Sequence, residues 1–279
     1  MSHHEKVIAA NLSSFKDKAA EYDNENTQLI SRVVATKVLQ FRFDNAPDTE
    51  ETEFASNDFD FNDLDIPNVA DELWDPESTR VLDFACGTGL VSQSLAPYCK
   101  EIVGVDISPD MVGIFNQKIE NQGIPESEMR ALVLDLLATD DDSLGQFDAV
   151  VTSLSYHHIH DTDKCTKRLA GKLAPNGRLY VIDIEKGSGG SVHGRMTDEE
   201  ALKEGVAHRG GLEADELVQT FKNAGLDQVK VTRAFRVKLW VPEDKVKSFS
   251  GITGETKVVN GKTLHCSKVN LMLVTGRRK

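Results

Sequence analysis

Short apolar runs alternate with amphipathic stretches through the middle of the chain, and this alternation sets the fold class. Residues 80–84, 101–105, 130–134, 147–152 and 177–184 are rich in Val, Leu and Ile, the pattern of strands buried on both faces. Between them, residues 90–97, 109–121 and 161–173 carry apolar side chains at helical spacing. Strand followed by helix, repeated, predicts an α/β architecture: a doubly wound, mostly parallel sheet covered by helices on both faces.

The flanks add elements of another kind. Residues 5–40 read as two helices interrupted near Asp23-Asn24-Glu25-Asn26, with Phe15, Ala19 and Tyr22 at helical spacing on the first. Residues 186–211 form a long loop of glycine and polar residues, and loops beyond about 12–15 residues are usually lids or binding segments. A helix over 212–224 stops at Gly225, a strand follows at about 228–237, and a last strand lies at about 267–276. Between those strands lie Trp240, a short helix opened by Pro242, and a glycine-punctuated segment from Gly251. The expected organisation is an N-terminal helical segment 1–43, a connector 44–79, and a core 80–279 with lid insertions near 186–211 and 239–266.

Charge narrows the partners. The net charge of −13 arises between Phe43 and Thr79, which hold thirteen acids and no Lys or Arg; the remainder balances at 32 acids and 32 bases. A core without basic excess is poorly suited to gripping a phosphate backbone, so nucleic acid is not the expected partner. The acidic stretch reads as a solvated connector, although Phe54, Phe59, Phe61, Leu64 and Ile66 are apolar enough to lie across a groove on the core. A chain of 279 residues, 39% hydrophobic, suffices for a full core, and its apolar runs are too short to span a bilayer. The start, MSHHEKVIAA, has no basic region followed by an apolar stretch, and a cytoplasmic location is expected. The four cysteines form no C-x-x-C pair, which favours reduced thiols over disulfides or a zinc cage.

The candidate chemistry is densest in VLDFACGTGL, residues 81–90. Val81 and Leu82 end a buried strand, Asp83 sits at its carboxyl edge, and Gly87 and Gly89 let the backbone turn tightly against a ligand before Leu90 opens a helix. Asp106, nineteen residues after Gly87, ends the next strand, where a carboxylate can take both hydroxyls of a ribose. The same spacing occurs in NAD sites, so by itself it leaves two readings open. The third small position of a dinucleotide fingerprint is here Ser92, and Asp83 would repel a pyrophosphate while suiting a ligand with an ammonium and a sulfonium. Met111, five residues past Asp106, can cover an adenine face, and Asp135 after the third apolar run can accept from an adenine amine.

The run SLSYHHIHD, residues 153–161, follows the fourth strand at the carboxyl edge where open α/β sheets bind ligands. His158, then His157 and Tyr156, are the candidate catalytic groups, with His160 beside them. Adjacent His157 and His158 are expected to point apart and no cysteine completes a ligand set, so no metal is expected. His193, His208 and His265 read as ordinary surface residues, and Cys86 as packing within the turn.

Taken in order, the motifs from about residue 80 to 185 resemble those of class I S-adenosylmethionine-dependent methyltransferases. The resemblance implies a Rossmann-like seven-stranded sheet whose last strand is antiparallel, an N-terminal helical lid, and S-adenosyl-L-methionine as cofactor. It assigns Asp83, Ala85, Gly87 and Gly89 to the methionine part, Asp106 to the ribose, and Met111 and Asp135 to the adenine, with Ile107 and Leu136 also on the cofactor. Ser153 to Tyr156 would face the sulfonium. One departure is Ala85, where many members have glycine.

The segment from Phe15 to Asp23 resembles the entry segment of small-molecule methyltransferases, in which an aromatic pair, here Phe15 and Tyr22, closes over the cofactor. His160 and Trp240 would complete the substrate side. Three stretches, DFACGTGLVSQSLAP, VGVDIS followed by NQGIP, and YHH, are similar to fungal small-molecule methyltransferases, including the gliotoxin-type dithiol bis-S-methyltransferases. This implies a small-molecule acceptor bearing a thiol or hydroxyl. Methylation of protein or RNA would call for a basic stripe or an N-P-P-Y motif, neither of which is present, and a cofactor-binding protein that transfers no methyl stays open as an alternative.

Overall fold

The chain enters through two helices, α1 (His3–Lys18) and α2 (Glu25–Leu39). The break between them comes from Asn24, whose side chain accepts from the N–H groups of Asn26 and Thr27 while Thr27 Oγ1 takes the Asn24 N–H, a capping box that starts α2. The computed structural model describes residues 3–43, 52–61, 65–70, 73–139, 143–187 and 190–279. Within them follow β1 (Thr52–Phe54), β2 (Arg80–Phe84), α3 (Leu90–Leu95), β3 (Glu101–Asp106), α4 (Pro109–Gln122), β4 (Met129–Val133) and β5 (Phe147–Ser153). The chain continues through α5 (Thr162–Gly171), β6 (Leu173–Ile184), α6 (Asp198–Lys203), α7 (Ala214–Asn223), β7 (Asp227–Pro242), β8 (Ile252–Val259) and β9 (Lys262–Arg277).

The strands form one sheet in the order β1-β7-β9-β6-β5-β2-β3-β4, with β8 added to β9. β2 to β6 pair in parallel, whereas β9 runs antiparallel to β6, β7 and β8. The doubly wound, mostly parallel sheet with an antiparallel last strand is therefore as expected, but among the described residues it has nine strands where seven were expected. The cause lies in period-2 alternation: Val237, Leu239 and Val241 are buried between more exposed Lys238 and Trp240, which carries β7 on to Pro242 in register with Leu264. β8 then returns to β9 through Asn260 and Gly261, both at positive φ, 50° and 74°. Most of the 239–266 segment is thus sheet edge.

Successive residues of each strand serve opposite faces. Val81, Ala149, Val151 and Ile182 pack with α2, α3 and α4, while Leu82, Val103, Val150 and Val181 pack with α5 and α7. α2 belongs to the first of these cores, burying Leu29, Ile30, Val33, Val34 and Val38. Of the acidic stretch, Phe54, Phe59 and Phe61 pack against that core and Ile66 is buried within it; Leu64 lies outside the described residues. Because β3 and β4 follow β2 on one side and β5 lies on the other, the sheet reverses direction next to β2. A crevice opens there, at the carboxyl ends of the strands.

Candidate functional site

Three residues of the turn after β2 adopt the left-handed conformation: Ala85 at φ 56°, Gly87 at 53° and Gly89 at 83°. Their roles differ. A Cβ added to Gly89 would lie 2.4 Å from the Phe115 ring, so that glycine lets α3 pack on α4. A Cβ added to Gly87 would meet nothing nearer than Tyr22 at 4.0 Å, so the space above Gly87 is cavity and not protein. Asp106 braces the turn, accepting from Gly87 N–H at 2.9 Å and from Ser108 N–H at 2.8 Å.

The crevice spans about 1020 Å³ counted out to its open mouth. Ala85, Gly87, Asp106, Ile107, Met111, Asp135, Leu136 and Ser153 line it, together with Phe15, Tyr22, His158 and His160. Asp83 lines a smaller adjoining cavity shared with Tyr22, Ala85, Gly87 and Ser153. Its Oδ2 accepts from Ser92 Oγ at 2.6 Å, and burial pushes its carboxyl up to about 7 against the opposing pull of that hydrogen bond. Burial also raises Asp106, and it pushes Tyr22, near Asp106 and Asp23, up to about 12. Two desolvated carboxylates beside an open glycine turn suit a ligand that carries cationic groups and a ribose, so the residues present fit S-adenosylmethionine.

The cover comes from α1. Val7, Ile8, Leu12 and Phe15 present an apolar wall to the crevice, a set visible in the sequence as i, i+4, i+7 spacing from Ile8 but not singled out there. Asp23 pins the far end of this segment to Thr88 Oγ1 in the turn and to Lys118 of α4. Ser14 Oγ donates to Glu204 at 3.1 Å, beside α6 of the long 186–211 loop.

The YHH run lies in a single 3₁₀ turn, Tyr156–His158, which sends Tyr156 into the core and leaves the two imidazoles side by side. His158 reaches the crevice, meeting the Phe15 ring edge-on at 5.7 Å, and its Nδ1 donates to Gly205 O at 2.9 Å. Tyr156 and His157, expected beside the transferred methyl, do not line it. Tyr156 is fully buried with its hydroxyl on Thr166 Oγ1 at 3.0 Å, and His157 is buried with Nδ1 2.7 Å from Asp183 Oδ1. Trp240 lines neither cavity; it faces the sheet edge under Lys257 Nζ at 4.4 Å.

Two further expectations are corrected. The His157 and His158 rings do not point apart but lie 4.2 Å centroid to centroid. His193 and His208 are half-buried and partnered rather than ordinary surface residues: His193 stands 5.5 Å from His157, and His208 Nε2 donates to Ile159 O at 2.8 Å, with burial lowering its basicity. No local sequence signal joins residue 193 to 157, because the long loop supplies the contact.

Residues 82–181 match the family described as methyltransferase domain. The chain is 40% identical, over 97% of its length and 98% of the relative's, to an uncharacterized methyltransferase of Schizosaccharomyces pombe. Over 41% of its length and 52% of the relative's it is 38% identical to a demethylmenaquinone methyltransferase of Thermus thermophilus. Among solved structures, it resembles phosphoethanolamine N-methyltransferase 2 of Haemonchus contortus with TM-score 0.57 and 12% identity, covering 100% of this chain and 60% of that one. The YcgJ protein of Bacillus subtilis gives TM-score 0.52 at 16% identity, over 75% of this chain and 94% of that one. Both likenesses show the fold.

Proposed function

This chain belongs to the S-adenosylmethionine-dependent methyltransferases, and from that premise we propose that its acceptor is a small molecule methylated on a thiol or a hydroxyl. The observation that carries the proposal is the cover: the acceptor side of the crevice is walled by Val7, Ile8, Leu12 and Phe15 of α1, an apolar enclosure that suits a compact ligand and not a polymer. The balanced charge outside residues 43–79 supports the same reading.

S-adenosylmethionine supplies an electrophilic methyl on a sulfonium, open to in-line displacement by the acceptor. In this reading Asp83 faces the ammonium, Asp106 with Ile107 the ribose, and Met111, Asp135 and Leu136 the adenine. Gly87 and Ala85 let the backbone approach, and Ser153 lines the sulfonium side. Asp135 is held for its task by the N–H groups of Leu137 and Ala138, at 2.8 and 3.1 Å. Phe15 of α1 and Tyr22 just after it exclude water from the reacting atoms, with α1 backed by Glu204 of the 186–211 loop through Ser14.

His158 is the side chain of the YHH run placed to accept a proton from an acceptor hydroxyl. Its Nδ1–H is committed to Gly205 O, which puts the lone pair of the neutral ring on Nε2. His160, also lining the crevice, shapes the acceptor side. The similarity of the turn and YHH segments to fungal dithiol methyltransferases supports a dithiol secondary metabolite as the acceptor. The test is to incubate the purified protein with S-adenosylmethionine and a panel of small thiols, dithiols and phenols, and to follow a 14-dalton mass gain, about one methylene per transfer. Methylation of protein or RNA in preference to every small acceptor would overturn the proposal.

A further inference from the structure

Behind the wall formed by His158, three imidazoles converge from separate parts of the chain: His157 and His158 from the turn after β5, and His193 from the 186–211 loop. Their ring centroids are 4.2, 5.5 and 6.1 Å apart, and their candidate ligand nitrogens all lie within 4.8 Å of one another. We infer that His157, His158 and His193 form a binding site for a divalent transition-metal ion of the zinc class.

The supporting groups are those a metal-binding imidazole needs. His157 Nδ1 donates to Asp183 Oδ1 at 2.7 Å, and Asp183 is fully buried, fixed in turn by the N–H groups of His157 at 3.2 Å and Ile184 at 2.7 Å. A carboxylate behind a histidine sets the tautomer, orients the ring and raises the basicity of the other nitrogen. His158 Nδ1 faces Gly205 O at 2.9 Å, and because a carbonyl only accepts, that nitrogen carries the hydrogen. With Nδ1 carrying the hydrogen in each, Nε2 is the nitrogen left to bind an ion. Two adjacent histidines, each held through Nδ1 by a buried acceptor and facing a third imidazole, are more than packing requires.

The donor set selects the ion. Three neutral imidazoles suit zinc, cobalt, nickel or copper, and not magnesium or calcium, which take oxygen. Zinc–nitrogen bonds of about 2.0–2.1 Å place tetrahedral ligands roughly 3.4 Å apart, so ion binding would draw together nitrogens that now lie within 4.8 Å of one another. Three protein ligands leave a fourth position uncommitted. Binding would tie the 186–211 loop to the crevice wall, and it would compete with a proton for His158 Nε2. The competition rests on the reading of His158 given above; the site itself does not.

The test uses the full chain, stripped with chelator and titrated with Zn(II) by calorimetry and with Co(II) by visible absorption. One ion per chain is expected, with the intense bands of tetrahedral cobalt and a zinc-dependent rise in melting temperature. Asp183→Asn should weaken binding about 10- to 100-fold and His193→Ala by more, while His265→Ala on β9 leaves it unchanged. His193→Gln serves where His193→Ala folds poorly. Absence of zinc binding, or binding unaltered in both His193 variants, overturns the inference. Cofactor binding is measured on the same samples: a chain that takes S-adenosylmethionine but no zinc refutes this site alone, and one that takes zinc but no S-adenosylmethionine refutes the cofactor reading alone.

Discussion

Ser92 Oγ donates to Asp83 Oδ2 at 2.6 Å across the first turn of α3, so the residue that breaks a dinucleotide fingerprint is the one that holds the acid of the cofactor turn. The pair is buried, and Asp83, at about 7 in the folded chain against 3.8 for a free carboxyl, keeps its proton through the acidic range.

A pH dependence follows. Between about pH 4 and 7 the folded chain binds more protons at Asp83 than the unfolded chain, so its stability falls as pH rises through that window. At about 1.4 kcal/mol per unit, the loss from pH 5 to 7 reaches at most about 2–3 kcal/mol. Urea unfolding of the wild type should show this decline and Asp83→Asn should lack it; parallel profiles would contradict the assignment. If Asp83 faces the cofactor ammonium, binding near pH 6–7 should also release a proton, seen as buffer-dependent calorimetric heat.

Asp106 carries a double duty, bracing Gly87 and Ser108 while facing the crevice. Asp106→Ala should weaken S-adenosylmethionine binding by about 1.5–3 kcal/mol per charge-assisted hydrogen bond lost, and should loosen the turn as well. Asp106→Asn, which keeps one acceptor oxygen, should lose less. Unchanged affinity in both, by calorimetry, would place the ribose elsewhere.

Ala85 and Gly87 both stand at positive φ, with opposite consequences for substitution. Ala85→Gly removes a left-handed strain of about 1–2 kcal/mol and adds about 0.4–1 kcal/mol of unfolded-chain entropy, so it should stabilise by up to about 1.6 kcal/mol. Gly87→Val should abolish cofactor binding, because its side chain fills the space above the turn. Thermal melts check the first and cofactor titration the second.

The parallel core and the glycine-turn side of the crevice were legible because both rest on local signals: unbroken apolar runs, the Gly87 and Gly89 turn, and acids at strand ends. Asn260-Gly261, flanked by Val259 and Lys262, is also such a signal, a hairpin turn that separates β8 from β9. The histidine side was not legible. Residue spacing gives no hint that a 3₁₀ turn will aim Tyr156 at Thr166 and His157 at Asp183, nor that residue 193 will return to them. Those facts depend on contacts between elements distant in sequence.

α1 is separable from the core in a way α2 is not, since α2 buries Leu29 to Leu39 against the sheet while α1 lends the crevice Val7, Ile8, Leu12 and Phe15. Deleting residues 1–18 should leave a folded chain with weaker cofactor binding and little turnover, because water then reaches the reacting atoms. Full activity in the truncated chain would reduce α1 to packing.

The acceptor itself can be told from the histidines, measured with chelator present so that no ion occupies His158. If the acceptor is a hydroxyl, His158→Ala should lower turnover about 10²- to 10⁴-fold, and the deficit should shrink as pH rises toward the acceptor's own pKa. A thiol with pKa near 8.5 is already partly ionised near neutrality, so the same substitution should cost it far less. His157→Ala acts differently, since His157 lies outside the crevice: it should perturb His158 only through the tilted ring contact 4.2 Å away, leaving KM for the acceptor near wild type. Turnover within a few fold of wild type in both variants would remove the base role and leave alignment of a thiolate with the methyl as the source of rate. A large loss in His158→Ala with raised KM and no pH dependence would instead make His158, with Phe15 against its ring, part of the acceptor pocket's wall.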